Sequence, residues 1–300
     1  MSPLRHHTDG DGWVECTCGQ RHWGLFGSAG LMVVDPARGV LLQHRAEWSH
    51  HGGTWGIPGG ARASEESALD GAIREAHEEA AVPADQVTPS HSWVEDHGPW
   101  SYTTVVARCD VDFVPYPSDP ESLDISWVPA ADVDALPLHP AFGKLWPAIR
   151  EQAFRHLVLV VDAANVVGSR PDGWWRDREG AAERLHDKLA ALTSLPGALL
   201  GLPATSWWPR IHLVVEGQAR NIYRADQSAP SDDASPVVIE RAPANGDDLI
   251  VAVVDDALMR RPDDHVVVVT ADRELRQRVT RSGASTVGPR TLHQLIAGGA

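Results

Sequence analysis

Glu75, Glu78 and Glu79 stand at i, i+3 and i+4 in the run Arg74-Glu75-Ala76-His77-Glu78-Glu79. On a helix that spacing sets three carboxylates on one face, about 5 to 6 Å apart at Cβ. Like charges this close repel unless a cation sits among them. All-oxygen ligation suits a hard ion such as Mg2+ or Mn2+, the usual partner of phosphate substrates. The chemistry implied is metal-assisted attack of water at a phosphate.

The acids belong to a longer pattern: Gly60, five residues, Glu66, seven residues, Arg74-Glu75, the aliphatic Ala76, His77, Glu78-Glu79, Ala80, Ala81 and the aliphatic Val82. This pattern resembles the Nudix box, the signature of hydrolases that cleave nucleoside diphosphates linked to another group. The resemblance covers about half of the chain. It implies an α/β/α sandwich around a mixed sheet, cleavage of a phosphoanhydride in a nucleoside di- or triphosphate derivative, and Mg2+ or Mn2+ held by Glu75, Glu78 and Glu79. Arg74 and Glu66 take supporting parts, and the family leaves open whether Glu78 or Glu79 acts as general base. The turn Gly59-Gly60 lets backbone approach the metal closely. One position departs from the pattern: Ala81 stands where the family carries Gly, at the helix exit, where the left-handed conformation is often needed. Ala there costs roughly 1 kcal/mol, so the helix exit is expected to shift slightly while the ligands stay.

Other residues attach to this expected site. Arg45, in Gln43-His44-Arg45, lies at a strand exit that faces the box in the family's layout and suits a bidentate phosphate clamp. Trp55, four residues before Gly59, is the best placed aromatic for stacking on a base. His97, in Glu95-Asp96-His97-Gly98, is a candidate acid or base, although a loop histidine is more often simply solvated.

The elements that must position these residues follow from pattern. Leu25 to Val34 and Val40 to Gln43 read as strands joined by Asp35-Pro36-Ala37-Arg38-Gly39, and a helix is expected from a Ser64 N-cap to about Ala80. A loop rich in Trp and His then precedes a strand over Tyr102 to Cys109. Pro115 to Asp124 holds too many prolines and acids for regular structure, a strand follows around Trp127, and a helix over about Pro140 to Arg155 closes the unit.

Beyond it the pattern changes to short apolar runs, Leu157 to Val161, Ile211 to Val215, Val237 to Ile239 and Val266 to Val269. Helices are expected between and after them, at Glu179 to Leu192, Asp247 to Arg260, Arg273 to Ser282 and Thr291 to Ala297. Such alternation indicates a parallel sheet buried on both faces. Ala225 to Ser235 is polar and low in bulk. The division expected is 1–153 and 154–300.

Acids stand at the strand exits of this second half: Asp162 closes Leu157 to Val161, Asp247 and Asp248 open a helix, and Asp272 follows Val266 to Ala271. Ligand sites of open α/β sheets lie at the carboxyl ends of strands. Val161-Asp162-Ala163-Ala164-Asn165-Val166, Gly246-Asp247-Asp248-Leu249-Ile250 and Thr270-Ala271-Asp272-Arg273 resemble, in order, the NYN branch of the PIN-like nucleases. The resemblance implies a parallel sheet flanked by helices, with Mg2+ held by Asp162, Asp248 and Asp272, Asn165 beside it, Asp247 as an auxiliary and RNA as substrate. The plainer reading is that these acids cap helices. Glu216, after Ile211 to Val215, is a further carboxylate.

Composition bounds the rest. The 300 residues carry a formal charge of -15, and residues 1–150 hold 9 Lys and Arg against 21 Asp and Glu, whereas 151–300 hold 17 against 20. An acidic first half does not capture a long polyanion by electrostatics, so the second half, where Arg273, Arg276, Arg278 and Arg281 cluster on one helix, is the better candidate for touching nucleic acid. The plainer reading of that cluster is a solvated basic face. No run approaches the ~20 apolar residues of a membrane span, the N-terminus lacks the apolar core of a signal peptide, and the three cysteines do not make a disulfide framework, so a cytoplasmic location is expected. Cys16, Cys18 and His22 are spaced like half a zinc knuckle, with His6 or His7 as a possible fourth ligand; lacking a second pair, they read as a reduced loop. A second function class stays open, a nucleotide-sensing module that binds without turnover and regulates an RNA-binding or RNase domain. Oligomeric state is left open.

Overall fold

The structure is a computed structural model that describes residues 8–170, 174–222 and 237–298. The chain divides into two compact units, Met1–Phe154 and Arg155–Ala300. Among the described residues no helix is long and apolar enough to cross a membrane.

The first unit opens with a hairpin, β1 (Trp13–Glu15) and β2 (Arg21–Trp23). Then come β3 (Ser28–Asp35), β4 (Gly39–Arg45), β5 (Trp55–Gly56), β6 (Gly59–Ala61), α1 (Ala68–Ala80), β7 (Val87–Asp96), β8 (Ser101–Cys109), β9 (Ser122–Val128) and α2 (Pro140–Arg150). Within the unit the sheet runs β7-β8-β3-β4-β5, with β6 on β3 and β9 on β4. It is mixed, because β3 and β8 run parallel while the other pairs are antiparallel.

β3 is buried along nearly its whole length because both faces are covered. Leu31 and Val33 point into one core with Ala72, Ala76 and Ala80 of α1, while Met32 and Val34 point into a second with Phe142, Trp146 and Ile149 of α2. That is the period-two alternation of a strand between two helical layers. The register also opens the sheet. β3 and β4 pair only at Val34↔Val40 and Asp35↔Gly39, after which β3 turns to β6 and β4 to β5 and β9. Gly59 and Gly60, expected to form a turn, are strand residues of β6 paired with Gly30 and Ala29.

Several boundaries differ from expectation. α1 starts at Ala68, capped by Ser67, whose hydroxyl accepts from the Asp70 N–H. Ser64 instead bonds Asp9 through its backbone N–H and its hydroxyl. α2 stops at Arg150, short of Arg155. The segment expected to be a Trp- and His-rich loop is largely the ten-residue strand β7, with a register shift between Pro89 and His91. Polar residues hid it: Ser90, His91 and Ser92 are all buried.

The second unit carries a parallel sheet with strand order β14-β13-β10-β15-β16. Its elements are β10 (Leu157–Asp162), α3 (Ala163–Gly168), α4 (Arg178–Ala190), the short antiparallel pair β11 (Leu195–Pro196) and β12 (Ser206–Trp207) around α5 (Gly197–Leu200), β13 (Pro209–Val215), β14 (Val237–Arg241), α6 (Gly246–Arg260), β15 (His265–Val269), α7 (Arg273–Ser282), β16 (Ser285–Val287) and α8 (Pro289–Gly298). All pairs of the five-stranded sheet are parallel. The valine runs are interior strands, buried on both faces as their composition requires. Strand order reverses at β10 and β15, which leaves a crevice at their carboxyl ends. Ala225 to Ser235, read as a polar segment, lies outside the described residues.

Candidate active site

The helix that carries the first acid cluster is held close to the sheet by small residues. Ala72, Ala76 and Ala80 recur every fourth position and are fully buried against Leu31, Val33, Val105 and Ala107. Methyl side chains let the helix approach β3 and β8, and the neighbouring positions then face β6. The helix ends where Ala81 adopts φ 56°, ψ 29°, with its N–H bonded back to the carbonyls of Ala76 and His77. The left-handed exit is thus made by alanine.

Arg74 organises the cluster. Its Nε and Nη2 donate to the two oxygens of Glu66 at 2.8 and 2.9 Å, Nη1 donates to Glu75 at 2.8 Å and to Glu78 at 3.4 Å, and Nη2 also reaches the Ala61 carbonyl at 2.9 Å. One guanidinium therefore ties three of the acids to the end of β6. The backbone N–H of Gly59 donates to Glu79 Oε2 at 2.9 Å. The glycines are needed for space: a Cβ on Gly60 would lie 2.6 Å from Glu75 Oε1, and one on Gly59 would meet the Ala29 carbonyl at 2.6 Å and the Tyr102 hydroxyl at 2.9 Å.

Glu79 is only 7% exposed, an unusual place for a carboxylate. Burial, followed by the charges of Glu75 and Asp119, pushes it well above its ordinary value. Glu75 is raised to about 7, again chiefly by burial and against the pull of Arg74. Arg74 holds Glu66 below its ordinary value. The set therefore has too few positive charges: Arg74 serves Glu66, Glu75 and Glu78, while Glu79 receives one neutral N–H. A cation of high charge density would supply what is missing, and the donors are all hard oxygens, so the residues fit a divalent ion of the Mg2+ or Mn2+ type.

Two acids beyond the box join it. One carboxylate oxygen from each of Glu79, Asp119 and Glu121 lies within 4.8 Å of the others. Asp119 and Glu121 come from the segment preceding β9, where the Glu121 carbonyl accepts from the Ala46 N–H at 2.7 Å and Ser122 from the buried Gln43 amide at 2.8 Å. Sequence reasoning set this segment aside as irregular; the clue was a pair of acids flanking Pro120 just before a strand.

Arg45 ends β4, and its charge reaches Glu79, Tyr102 and His139. Its Nε donates to the His50 carbonyl at 3.2 Å. Beside it His50, His51 and His139 gather within 4.8 Å, a group the sequence reading missed although the His50-His51 doublet was visible. Burial lowers His139 to about 4. One face of the Trp55 ring is stacked on His44 at 4.7 Å and 4°, and the side chain packs against the α2 core. His97 lies in the β7–β8 turn among Cys16, Cys18, His22 and Trp100, where it has no part in the α1 cluster.

The NUDIX domain profile matches residues 25–149. A Mycobacterium tuberculosis protein named putative 8-oxo-dGTP diphosphatase 3 is 45% identical over 155 residues, which cover 47% of this chain and 70% of that protein. The chain belongs to the Nudix family. A second Nudix relative, a nucleoside triphosphate pyrophosphatase/Nudix hydrolase fusion protein of Bifidobacterium longum, is 47% identical over 149 residues, and the chain spans only 31% of its length. Among solved structures, a Nudix hydrolase from M. smegmatis is 44% identical, with 47% of this chain and 94% of that one covered and a TM-score of 0.43. These Nudix similarities all fall on about half of the chain.

In the second unit the acids at the crevice are engaged locally. Asp162 caps α3, with Oδ1 accepting from the Asn165 N–H at 3.0 Å and Oδ2 from the Thr270 hydroxyl at 2.9 Å. Asn165 Oδ1 accepts from the Ala271 N–H at 2.8 Å, which joins the ends of β10 and β15. Asp272 caps α7 through the Leu275 N–H at 2.8 Å. Burial raises Asp162, with smaller contributions from Asp247 and Glu216, and burial plus Asp272 raises Asp247. Asp248 differs from expectation: it is 70% exposed and pairs with Arg278 at 2.6 Å, so Asp247 is the member of the doublet whose charge acts on Asp162. Among the described residues Asp162, Asp248 and Asp272 do not gather within 4.8 Å.

Proposed function

We propose that the first unit is a metal-dependent pyrophosphohydrolase that cleaves a phosphoanhydride of a nucleoside triphosphate, with Glu75, Glu78, Glu79, Asp119 and Glu121 as the acids that hold Mg2+ or Mn2+. The carrying observation is the burial of Glu79 beside Glu75 and Asp119, which raises it despite the Gly59 N–H and the charge of Arg45. When bound, the ion neutralises phosphate charge and acidifies an attacking water. Arg74 keeps Glu75 in its ligating rotamer, and Glu66 fixes Arg74. Gly59 and Gly60 of β6 bring backbone against the acids, and Gly59 orients Glu79. Arg45 and the neighbouring histidines supply donors for the phosphates, and Trp55, half-buried with one face on His44, borders the base. Glu78, the more exposed of the helix acids, is available as general base.

The relatives' names point to nucleoside triphosphates, including oxidised purines, as the first substrates to try. The test is product release from dNTPs, 8-oxo-dGTP, ADP-ribose, dinucleoside polyphosphates and 5'-triphosphorylated RNA. Nucleoside monophosphate and pyrophosphate from a triphosphate support the reading, and intact substrates across the panel oppose it.

For the second unit we propose an NYN-type, PIN-like domain. Strand order, with reversal at β10 and β15, the hydrogen bonds that Asp162 and Asn165 make at that reversal, and the charges of Asp247 on Asp162 and of Asp272 on Asp247 support it. An RNA substrate would lie along the arginines of α7, where Arg273, Arg276 and Arg281 line an open cleft with Thr280 and Thr286. Mn2+-dependent cutting of single-stranded RNA, lost in Asp162→Asn, supports a nuclease; an unchanged RNA ladder opposes it.

A further inference from the structure

The N-terminal hairpin is too small to hold its own shape. β1 and β2 contribute three residues each, paired Trp13↔Trp23, Val14↔His22 and Glu15↔Arg21, and none of the six is buried. An isolated two-stranded hairpin of this size is not stable in water. Something else must fix it, and its turn offers the means. The Cys16 N–H bonds the Gln20 carbonyl at 3.0 Å, the Gly19 N–H returns to the Cys16 carbonyl at 3.0 Å, and Gly19 reverses the chain at φ 84°. This folding turns Cys16, Cys18 and His22 toward one another.

The fourth member comes from far along the chain. His97 sits in the β7–β8 turn, closed by its own N–H to the Trp100 carbonyl at 2.9 Å. One ligand atom from each of Cys16, Cys18, His22 and His97 lies within 4.8 Å of all the others. Cys18 Sγ is 3.2 Å from His22 Nε2, and the rings of His22 and His97 are 4.8 Å apart. No disulfide joins the two thiols. We propose that these four residues form a structural Zn2+ site that fastens the hairpin to the β7–β8 turn.

Donor chemistry selects the ion. Two thiols and two imidazoles are the borderline-soft set of a closed tetrahedral zinc site, whereas the helix acids are hard oxygens, so one unit carries two sites of different metal preference. With Zn–S about 2.3 Å and Zn–N about 2.0 Å, a tetrahedron needs ligand separations of about 3.3 to 3.8 Å, so the atoms, all within 4.8 Å of one another, have at most about 1.5 Å to close. Four protein ligands leave no open position, so the site holds structure and does no chemistry. The surroundings match a ligand shell. Glu95 Oε1 is 3.4 Å from His97 Nε2, the carboxylate–histidine pairing that orients metal-bound imidazoles. Trp100 stacks on His22 at 4.1 Å and 10° while its Nε1 donates to the Trp23 carbonyl at 2.9 Å, which fixes the His22 ring against the hairpin.

The full chain, purified with thiols reduced, is stripped of metal and titrated with Co2+, whose thiolate charge-transfer absorption reports cysteine ligation and is not produced by carboxylates. One equivalent of Co2+ should generate that absorption and Zn2+ should abolish it. The signal should be lost in Cys18→Ser, much weakened in His97→Gln, and kept in Glu79→Gln, which touches only the acid site. Zinc analysis of the untreated protein should give one ion per chain, and its removal should lower Tm. A folded, reduced wild-type chain that gives no thiolate absorption with excess Co2+ overturns the proposal. So does freshly purified protein that lacks zinc and whose intact mass shows a Cys16–Cys18 disulfide. If a variant fails to fold, the wild-type titration alone decides.

Discussion

Arg74 grips Glu66 with two near-parallel hydrogen bonds, Nε to Oε1 at 2.8 Å and Nη2 to Oε2 at 2.9 Å, across the eight residues that separate the loop from the helix. The same guanidinium holds Glu75 with its remaining nitrogen. Glu66 is therefore a support for the acid site at one remove. Arg74→Lys keeps the charge and loses the fork, so Glu75 is released from its rotamer. Activity in saturating metal should fall about 10- to 100-fold, mostly in kcat, and the apparent Mg2+ affinity should weaken alongside. Steady-state kinetics at several metal concentrations checks this; unchanged kcat with unchanged metal dependence would remove Arg74 from the site.

The raised carboxyls make metal-free stability depend on pH with a definite sign. Glu75 sits at about 7 in the folded unit against an ordinary 4.5, so between those values the folded chain keeps a proton that the unfolded chain has lost. Its contribution is complete below pH 4.5 and is lost as pH rises through 7, amounting to up to about 3 kcal/mol. Divalent metal should reverse the trend, because ligation requires the deprotonated form. Urea unfolding at pH 5 and 8, with EDTA or with Mg2+, should show stabilisation by Mg2+ mainly at pH 8. Equal stabilisation at both values would contradict the assignment.

Ala81 holds a left-handed conformation that glycine adopts freely, with φ 56° and ψ 29°. Ala81→Gly should stabilise the first unit by about 1 kcal/mol, since the strain relieved exceeds the entropy that glycine adds to the unfolded chain. Denaturant midpoints read this directly, and activity should change little because the acids already occupy their places on α1.

Much of the site was legible because its logic is local. The i, i+3, i+4 acids and the glycine turn lie within one stretch of about twenty residues, where helical period alone decides which side chains meet. The valine runs announced the parallel strands for the same reason. Asp119 and Glu121 were not legible, since they reach Glu79 only after β9 pairs with β4; His97 reaches the cysteine turn only through the β7–β8 connection. β7 itself was hidden by buried Ser90, His91 and Ser92, which break the expected hydrophobic alternation. At Asp247-Asp248 one residue is a 100° rotation on a helix, and that rotation points Asp248 at Arg278 while the charge of Asp247 acts on Asp162.

Acid should weaken the second unit through Asp264. Its nearly buried carboxylate accepts from the His156 N–H at 2.9 Å and lies 3.0 Å from Arg261 Nε, and these groups hold it below the ordinary 3.8 despite burial. A depressed carboxyl stabilises fully above its unfolded value, and that contribution disappears as pH falls below about 4. Asp264→Asn should destabilise the unit by about 1 to 3 kcal/mol at pH 7 and flatten the acid limb of its stability curve. Thermal unfolding from pH 3 to 7 checks both expectations.

The central claim is that buried Glu79 is a ligand of a catalytic divalent ion. Hydrolysis of a deoxynucleoside triphosphate by wild type and Glu79→Gln, with Mg2+ and Mn2+ titrated, tests it most directly. The substitution keeps size and can still accept from Gly59 while it removes the charge, so the variant should fold, be at least as stable without metal, and lose about 100-fold or more in kcat. A folded Glu79→Gln variant with wild-type turnover and metal dependence would contradict the account.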